Sequence, residues 1–106
     1  SVLVATTEQV AGRSYEILGL AQGSTIQCKN VGRDITQGLK QLVGGELTSY
    51  TEMMDKARDI ALERMIRAAE SMGADAVISM RYTTSAIMQG AAEVLAYGTA
   101  VKWTEA

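Results

Sequence analysis

The chain is expected to fold as one α+β domain, with helices on one face of a mostly antiparallel sheet. Three observations lead there. Residues 50–72 place apolar side chains at the helical period over about six turns. Residues 94–103 are apolar on both faces of an extended segment. Strand-like stretches flank the helical region on both sides, with no internal repeat or linker, and a length of 106 residues fits a single domain spanning 1–106.

Residues 2–7 are rich in β-formers and follow no helical period, so they open the sheet. Residues 8–13, with Gly12, read as a turn. Residues 15–21 alternate and return as a second strand, Gly23 and Ser24 punctuate it, and residues 25–29 add a short extension. Asn30 or Asp34 is placed to cap a short amphipathic helix carrying Ile35, Leu39, Leu42 and Val43, which Gly44 and Gly45 terminate. Ser49 and Glu52 have capping-box spacing, so a long helix is expected to begin near Thr48 or Ser49. Glu63 and Arg67 add a favourable pair four residues apart, and Gly73 ends the helix. Residues 76–84 form a strand with Ala76, Ile78, Met80 and Tyr82 on one face, and residues 86–90 turn the chain. In the last strand, residues 94–103, Leu95, Tyr97, Val101 and Trp103 line one side, and Val94, Ala96, Gly98 and Ala100 the other. Gly98 marks a bulge or a close backbone approach.

The long helix carries more apolar surface than one small sheet covers. Tyr50, Met54, Ala57, Ala61, Met65, Ala68 and Met72 form a stripe, widened by Met53 and Ile60 on one flank and by Leu62, Ile66 and Ala69 on the other. The arc is roughly two-thirds of the circumference, where packing on one sheet needs about 100° or a little more. A last strand apolar on both faces asks for cover on both. Both features point to a second subunit, with Tyr50, Met54, Leu62 and Met65 of the helix and Leu95, Tyr97 and Trp103 of the last strand as expected interface residues.

Composition removes several functions. A net charge of −2, without blocks of either sign, argues against nucleic-acid and anionic-membrane partners. No apolar run approaches the roughly 18 residues of a membrane span. With no signal-like stretch and one cysteine, Cys28, the expected setting is a reducing cytoplasm. The chain has no histidine, which excludes a His-dependent triad and any His-containing metal site.

An ordered set of residues resembles the YbjQ family, an uncharacterised bacterial family labelled as heavy-metal-binding. The set is Asn30 with Arg33 and Asp34, Gly44-Gly45, Tyr50, Ala57-Arg58, Ala61-Leu62 with Met65, the run from Gly73 through Ala74, Asp75 and Ala76 to Val77, and the run from Gly98 through Thr99 and Ala100 to Val101. The resemblance implies a dodecin-like α+β subunit and a ring-shaped homo-oligomer, a pentamer, without implying a reaction. Asp75 departs from it, standing where the family usually has Asn.

Candidate chemistry is sparse. A soft ion wants thiolate and thioether ligands, and the chain offers Cys28 and six methionines. Methionine at helical spacing is ordinarily flexible core filler, and Cys28 closes a site only if several copies gather on a ring axis. Arg58 and Arg64 fall within or beside the apolar arc and therefore need partners. Ion pairs to Asp34, Glu46 or Asp59 and a pocket for a small anion both fit. Asn30, Arg33 and Asp34 form a second polar cluster ahead of a helix N-terminus, readable as a capped turn or an anion site. No serine has a histidine partner, and no lysine reads as a desolvated nucleophile. The sequence thus favours a non-catalytic binding or scaffold ring, with soft-metal binding and small-anion chemistry as alternatives.

Overall fold

The computed structural model describes residues 1–28 and 45–104. The short helix expected after Asp34 lies outside them. The elements are β1 (Leu3–Val4), β2 (Tyr15–Cys28), α1 (Gly45–Ser71), β3 (Ala76–Met88) and β4 (Ala91–Trp103). One four-stranded sheet runs in the order β1-β3-β4-β2. It is α+β, as expected, but mixed: β4 pairs antiparallel with both β2 and β3, while β1 lies parallel to β3.

The helix begins at Gly45, four residues ahead of the expected cap at Ser49. The capping-box residues therefore sit inside the first turns. The C-terminus ends as the sequence predicts. Gly73 adopts φ +79°, its N–H donates to Glu70 O at 3.0 Å, and the N–H of Ala74 donates to Ala69 O at 3.1 Å. These are the paired bonds of a Schellman motif, which an L side chain at Gly73 would strain. The Glu63–Arg67 pair forms on the exposed face, where it contributes a few tenths of a kcal/mol.

β2 is one continuous strand through Gly23, where the sequence suggests a break. The physical reason is close approach rather than a turn. A Cβ on Gly23 would lie 2.3 Å from the backbone N of Met65 and 2.6 Å from Cβ of Arg64. Glycine here lets the helix seat almost directly on the strand. Around that contact the core is built from small side chains: Ala57, Ala61 and Ala69 with Met65 from α1, and Ala21, Ala96 and Ala100 with Val94, Val77 and Met80 from the sheet.

β3 extends to Met88, further than expected, and turns at Gln89 and Gly90 into a β4 that starts at Ala91. It does not keep one face throughout. Ser79 takes φ 53°, and the pairing jumps from Ile78–Thr99 to Arg81–Tyr97, a bulge opposite Gly98. A Cβ on Gly98 would meet Val77 Cγ1 at 2.5 Å and Ile78 O at 3.0 Å. The bulge sends Ala76 and Ile78 to one face, where they pack with Val101, and returns Met80 to the helix face. The single apolar row Ala76, Ile78, Met80 and Tyr82 is thereby corrected. The chain before β2 locks the bulge: Ser79 N–H donates to Thr7 O at 3.0 Å, Met80 N–H to Ala5 O at 3.1 Å, and Arg81 Nη1 to Thr6 O at 2.9 Å.

Asp75 accepts a hydrogen bond from the Trp103 N–H at 2.8 Å on Oδ2. An asparagine carbonyl can accept the same bond, so the departure from the family's usual Asn leaves this tie intact.

Two outcomes are expected from chemical denaturation. Gly23→Ala forces α1 off β2 and lowers stability by about 1–3 kcal/mol, the range for overpacking. Asp75→Asn stays within about 0.5 kcal/mol of wild type, whereas Asp75→Ala, which strands a part-buried N–H, loses about 1–3 kcal/mol. Equal losses for the two Asp75 variants would show that its charge, rather than its acceptor, matters.

Candidate functional site

The feature that stands out is a sheet that the described elements cover only in part. The molecule measures 58 × 23 × 18 Å with a radius of gyration of 17.2 Å, against about 13 Å for a compact domain of about 100 residues. Helix α1 lies over β2 and β4 and scarcely reaches β3. On the opposite face, Val10, Tyr15 and Trp103 cover Ala76, Ile78 and Val101 at the end near β1, and the Arg13 guanidinium stacks 4.1 Å above the Trp103 ring. Away from that end, the register sets out three rows: Arg81–Tyr97–Gln22, Thr83–Leu95–Ser24 and Ser85–Glu93–Ile26. No described element lies over these rows.

Every residue of β3 from Arg81 to Met88 is exposed. The distal half of β3 and the edge strand β2 also carry large apolar side chains in water: Tyr82 (40%), Ile87 (51%) and Met88 (56%) on β3, and Ile17 (67%), Leu20 (61%) and Ile26 (59%) on β2. Apolar groups on bare strand edges are the pattern that stable proteins cover or charge.

The expected interface residues divide. Met65 is fully buried beneath its own helix. Met54 and Leu62 pack partly against the same core, and Trp103 against the smaller cluster. Leu95 and Tyr97 are half-buried on the open face, and Tyr50 is half-buried on α1. The sequence reading missed the strongest exposed set, Ile17, Leu20, Ile26, Ile87 and Met88. Only Ile26, between Thr25 and Gln27, carries the polar–apolar alternation that marks a face; Ile17, Leu20, Ile87 and Met88 sit beside other apolar or small residues and give no such signal.

The arginines have partners. Arg58 pairs with Asp55 one turn earlier, at a half-exposed position. Arg64 reaches across the β2 edge and its Nη1 donates to Ser24 O at 2.7 Å. Long stems carry both heads out of the apolar arc. Asn30, Arg33 and Asp34 lie outside the described residues. Cys28 is a free, exposed thiol at the end of β2. Among the described residues, no three carboxylates or thiols converge as a metal site would require, and no helix is long and apolar enough to cross a membrane.

Comparison with known proteins agrees with this architecture. A family described as "Putative heavy-metal-binding" matches residues 2–104. A UPF0145 protein of Clostridium novyi is 59% identical over 101 residues, covering 95% of this chain and 98% of its own. Another, from Methanosarcina acetivorans, is 55% identical over 102 residues, covering 95% and 96%, so the relatives are not confined to bacteria. A crystal structure of a DUF74-family protein of unknown function from Pediococcus pentosaceus superposes with a TM-score of 0.65 at 15% identity, covering 97% of this chain and 98% of that one, and shows a shared fold. A match along nearly the whole sequence, with relatives more than half identical over almost their full lengths, makes this chain a member of the YbjQ family, the UPF0145 proteins.

Proposed function

We propose that the chain assembles into a closed homo-oligomeric ring, a pentamer as the family resemblance implies, and that the ring serves as a non-catalytic binding or scaffold module. One observation carries the reading: the elongated subunit leaves apolar side chains on β2 and on the distal half of β3 exposed to water. Each large apolar side chain gains about 1.5–3 kcal/mol on full burial. Covering several per subunit is a substantial drive to associate. The dodecin-like character of the subunit belongs to the same proposal, as does a cytoplasmic setting.

A second reading has its own support, the heavy-metal description of the family together with the exposed thiol of Cys28. Cys28 shares a row with Ala91 and Met88 at the far end of the sheet. Copies arranged about an axis would multiply these soft donors. Small-anion binding has less behind it, because Arg58 and Arg64 are already engaged.

Native mass spectrometry of untagged protein, purified without chelator, tests the ring. The expected result is one species at an integral multiple of the 11.3 kDa subunit, with five copies fixing the pentamer; a monomer rejects the assembly. Mass that is retained natively and lost on denaturation moves weight to a ligand. The metal reading expects Cys28→Ser to abolish Cu(I) binding, and undiminished binding removes it. Calorimetric titration with phosphate and small carboxylates is expected to give no heat at millimolar ligand.

A further inference from the structure

Residues 2–10 do more than pair with β3. Val2 and Val4 pack on the helix-side core, while Val10 packs on the cluster at the other face of the sheet. The segment therefore passes around the edge of β3, and it does so at the bulge. The N–H groups of Leu3 and Ala5 donate to Asp75 O and Val77 O at 3.2 and 2.9 Å. In a regular parallel ladder, Ala5 O would next accept from the N–H of Ser79. It accepts from Met80 instead, Thr7 O takes the N–H of Ser79, and Thr6 O takes Arg81 Nη1. Three consecutive carbonyls thus hold three consecutive residues of β3. On the other side, β4 registers with Ile78 and Arg81 and passes over Ser79 and Met80. The left-handed backbone of Ser79, φ 53°, is unfavourable for any residue but glycine. Such a conformation persists only while its surroundings impose it, and here the hydrogen bonds that impose it come from residues 5–7.

We propose that residues 3–7 are a strap holding a strained catch, and that strap and bulge open together as one unit, apart from the rest of the fold. With the strap seated, Ser79 is left-handed and Met80 lies on the helix face. With the strap lifted, Ser79 relaxes to extended backbone and the one-residue offset moves further along the hairpin. Side chains alternate along a strand, so Met80 then turns to the face of Ala76 and Ile78. That is the regular row that the sequence alone suggests. The local pattern of β3 therefore favours the open geometry, and the strap enforces the closed one. The strap is suited to separate opening. Its regular pairing is two residues long, Leu3 is 48% exposed, and Val2 and Val4 are only partly buried. The Tyr15 hydroxyl, donating to Glu8 O at 2.7 Å, tethers its far end. The contact of α1 with Gly23 takes no part. The device belongs to the single subunit and is independent of the ring.

Native-state hydrogen exchange, resolved by nuclear magnetic resonance on the full chain, tests the coupling. In wild type, the amides of Leu3, Ala5, Ser79 and Met80 are expected to share one opening, easier than that of Met65 in α1. Two variants drive it in opposite directions. Ser79→Gly relieves the left-handed strain and is expected to slow exchange at Leu3 and Ala5 by about 3-fold or more. Those amides bond to Asp75 O and Val77 O, so a merely local effect at residue 79 would not reach them. Ser79→Ala keeps the strain and is expected to match wild type, which separates strain from the hydroxyl. Arg81→Ala removes the tie to Thr6 O and is expected to speed exchange at all four amides by about 10-fold, leaving Met65 unmoved. With methyl-labelled methionine, the Met80 methyl is expected to sample a second environment in Arg81→Ala while the Met65 methyl does not. Unchanged exchange at Leu3 and Ala5 in Ser79→Gly overturns the catch. So does an opening of Ser79 and Met80 that follows α1 rather than the strap. A Met80 methyl that keeps one environment in Arg81→Ala overturns the movement of Met80.

Discussion

The backbone-to-backbone contact between Gly23 and the Arg64–Met65 turn of α1 governs the arrangement of everything else. A strand and a helix approach this closely only where no Cβ intervenes, and the alanines around the contact keep the layer thin. Once seated, the helix is centred over β2 and β4. A helix is about 10–12 Å across with its side chains, while neighbouring strands lie about 4.8 Å apart. One helix therefore spans little more than two strands. The distal half of β3 lies beyond the reach of α1, and no choice of side chains on β3 could change that while Gly23 holds the helix where it is.

The second constraint is the bulge at Ser79. A left-handed residue other than glycine is unfavourable by roughly 1–2 kcal/mol, and three sets of contacts hold it: Thr7 O on its N–H, Ala5 O on the next, and Gly98 opposite, open enough to receive the extra residue. The bulge divides β3 into two parts with different surroundings. Before it, the strand is paired on both sides and buried. Beyond it, the strand has one partner among the described strands and lies exposed. The Arg81 side chain, bonded to Thr6 O and Met80 O, marks the boundary.

Features governed by a simple period were legible in the sequence. The helix, its stop at Gly73 and the two faces of β4 follow from spacing 3.6, a glycine and spacing 2. That some apolar surface would stay outside the core was legible too. The position of that surface was not, because three local events broke the periods. Gly23 read as punctuation, since sequence does not distinguish a glycine that turns from one that makes room. Ser79 has no compositional signature for a left-handed bulge, so Met80 was assigned to the wrong face. Ser49 and Glu52 had the form of a cap, yet α1 had already begun at Gly45. The arginines were placed correctly on the wheel, but their heads ended elsewhere because a long stem decouples the charge from its Cα.

The bulge bears on copy number in the proposed ring. A surface that meets its own image stops at two. A surface that meets a different one continues, and the rotation between successive subunits decides whether it closes or runs on as a fibre. That rotation accumulates from sheet twist and from the bend that a bulge adds. Stoichiometry in such an assembly is a property of backbone curvature more than of the residues in contact. Ser79 and Gly98 lie within one subunit, yet they set the bend of β3. Relatives that differ in bulge geometry would then build rings of different size from the same contacting side chains.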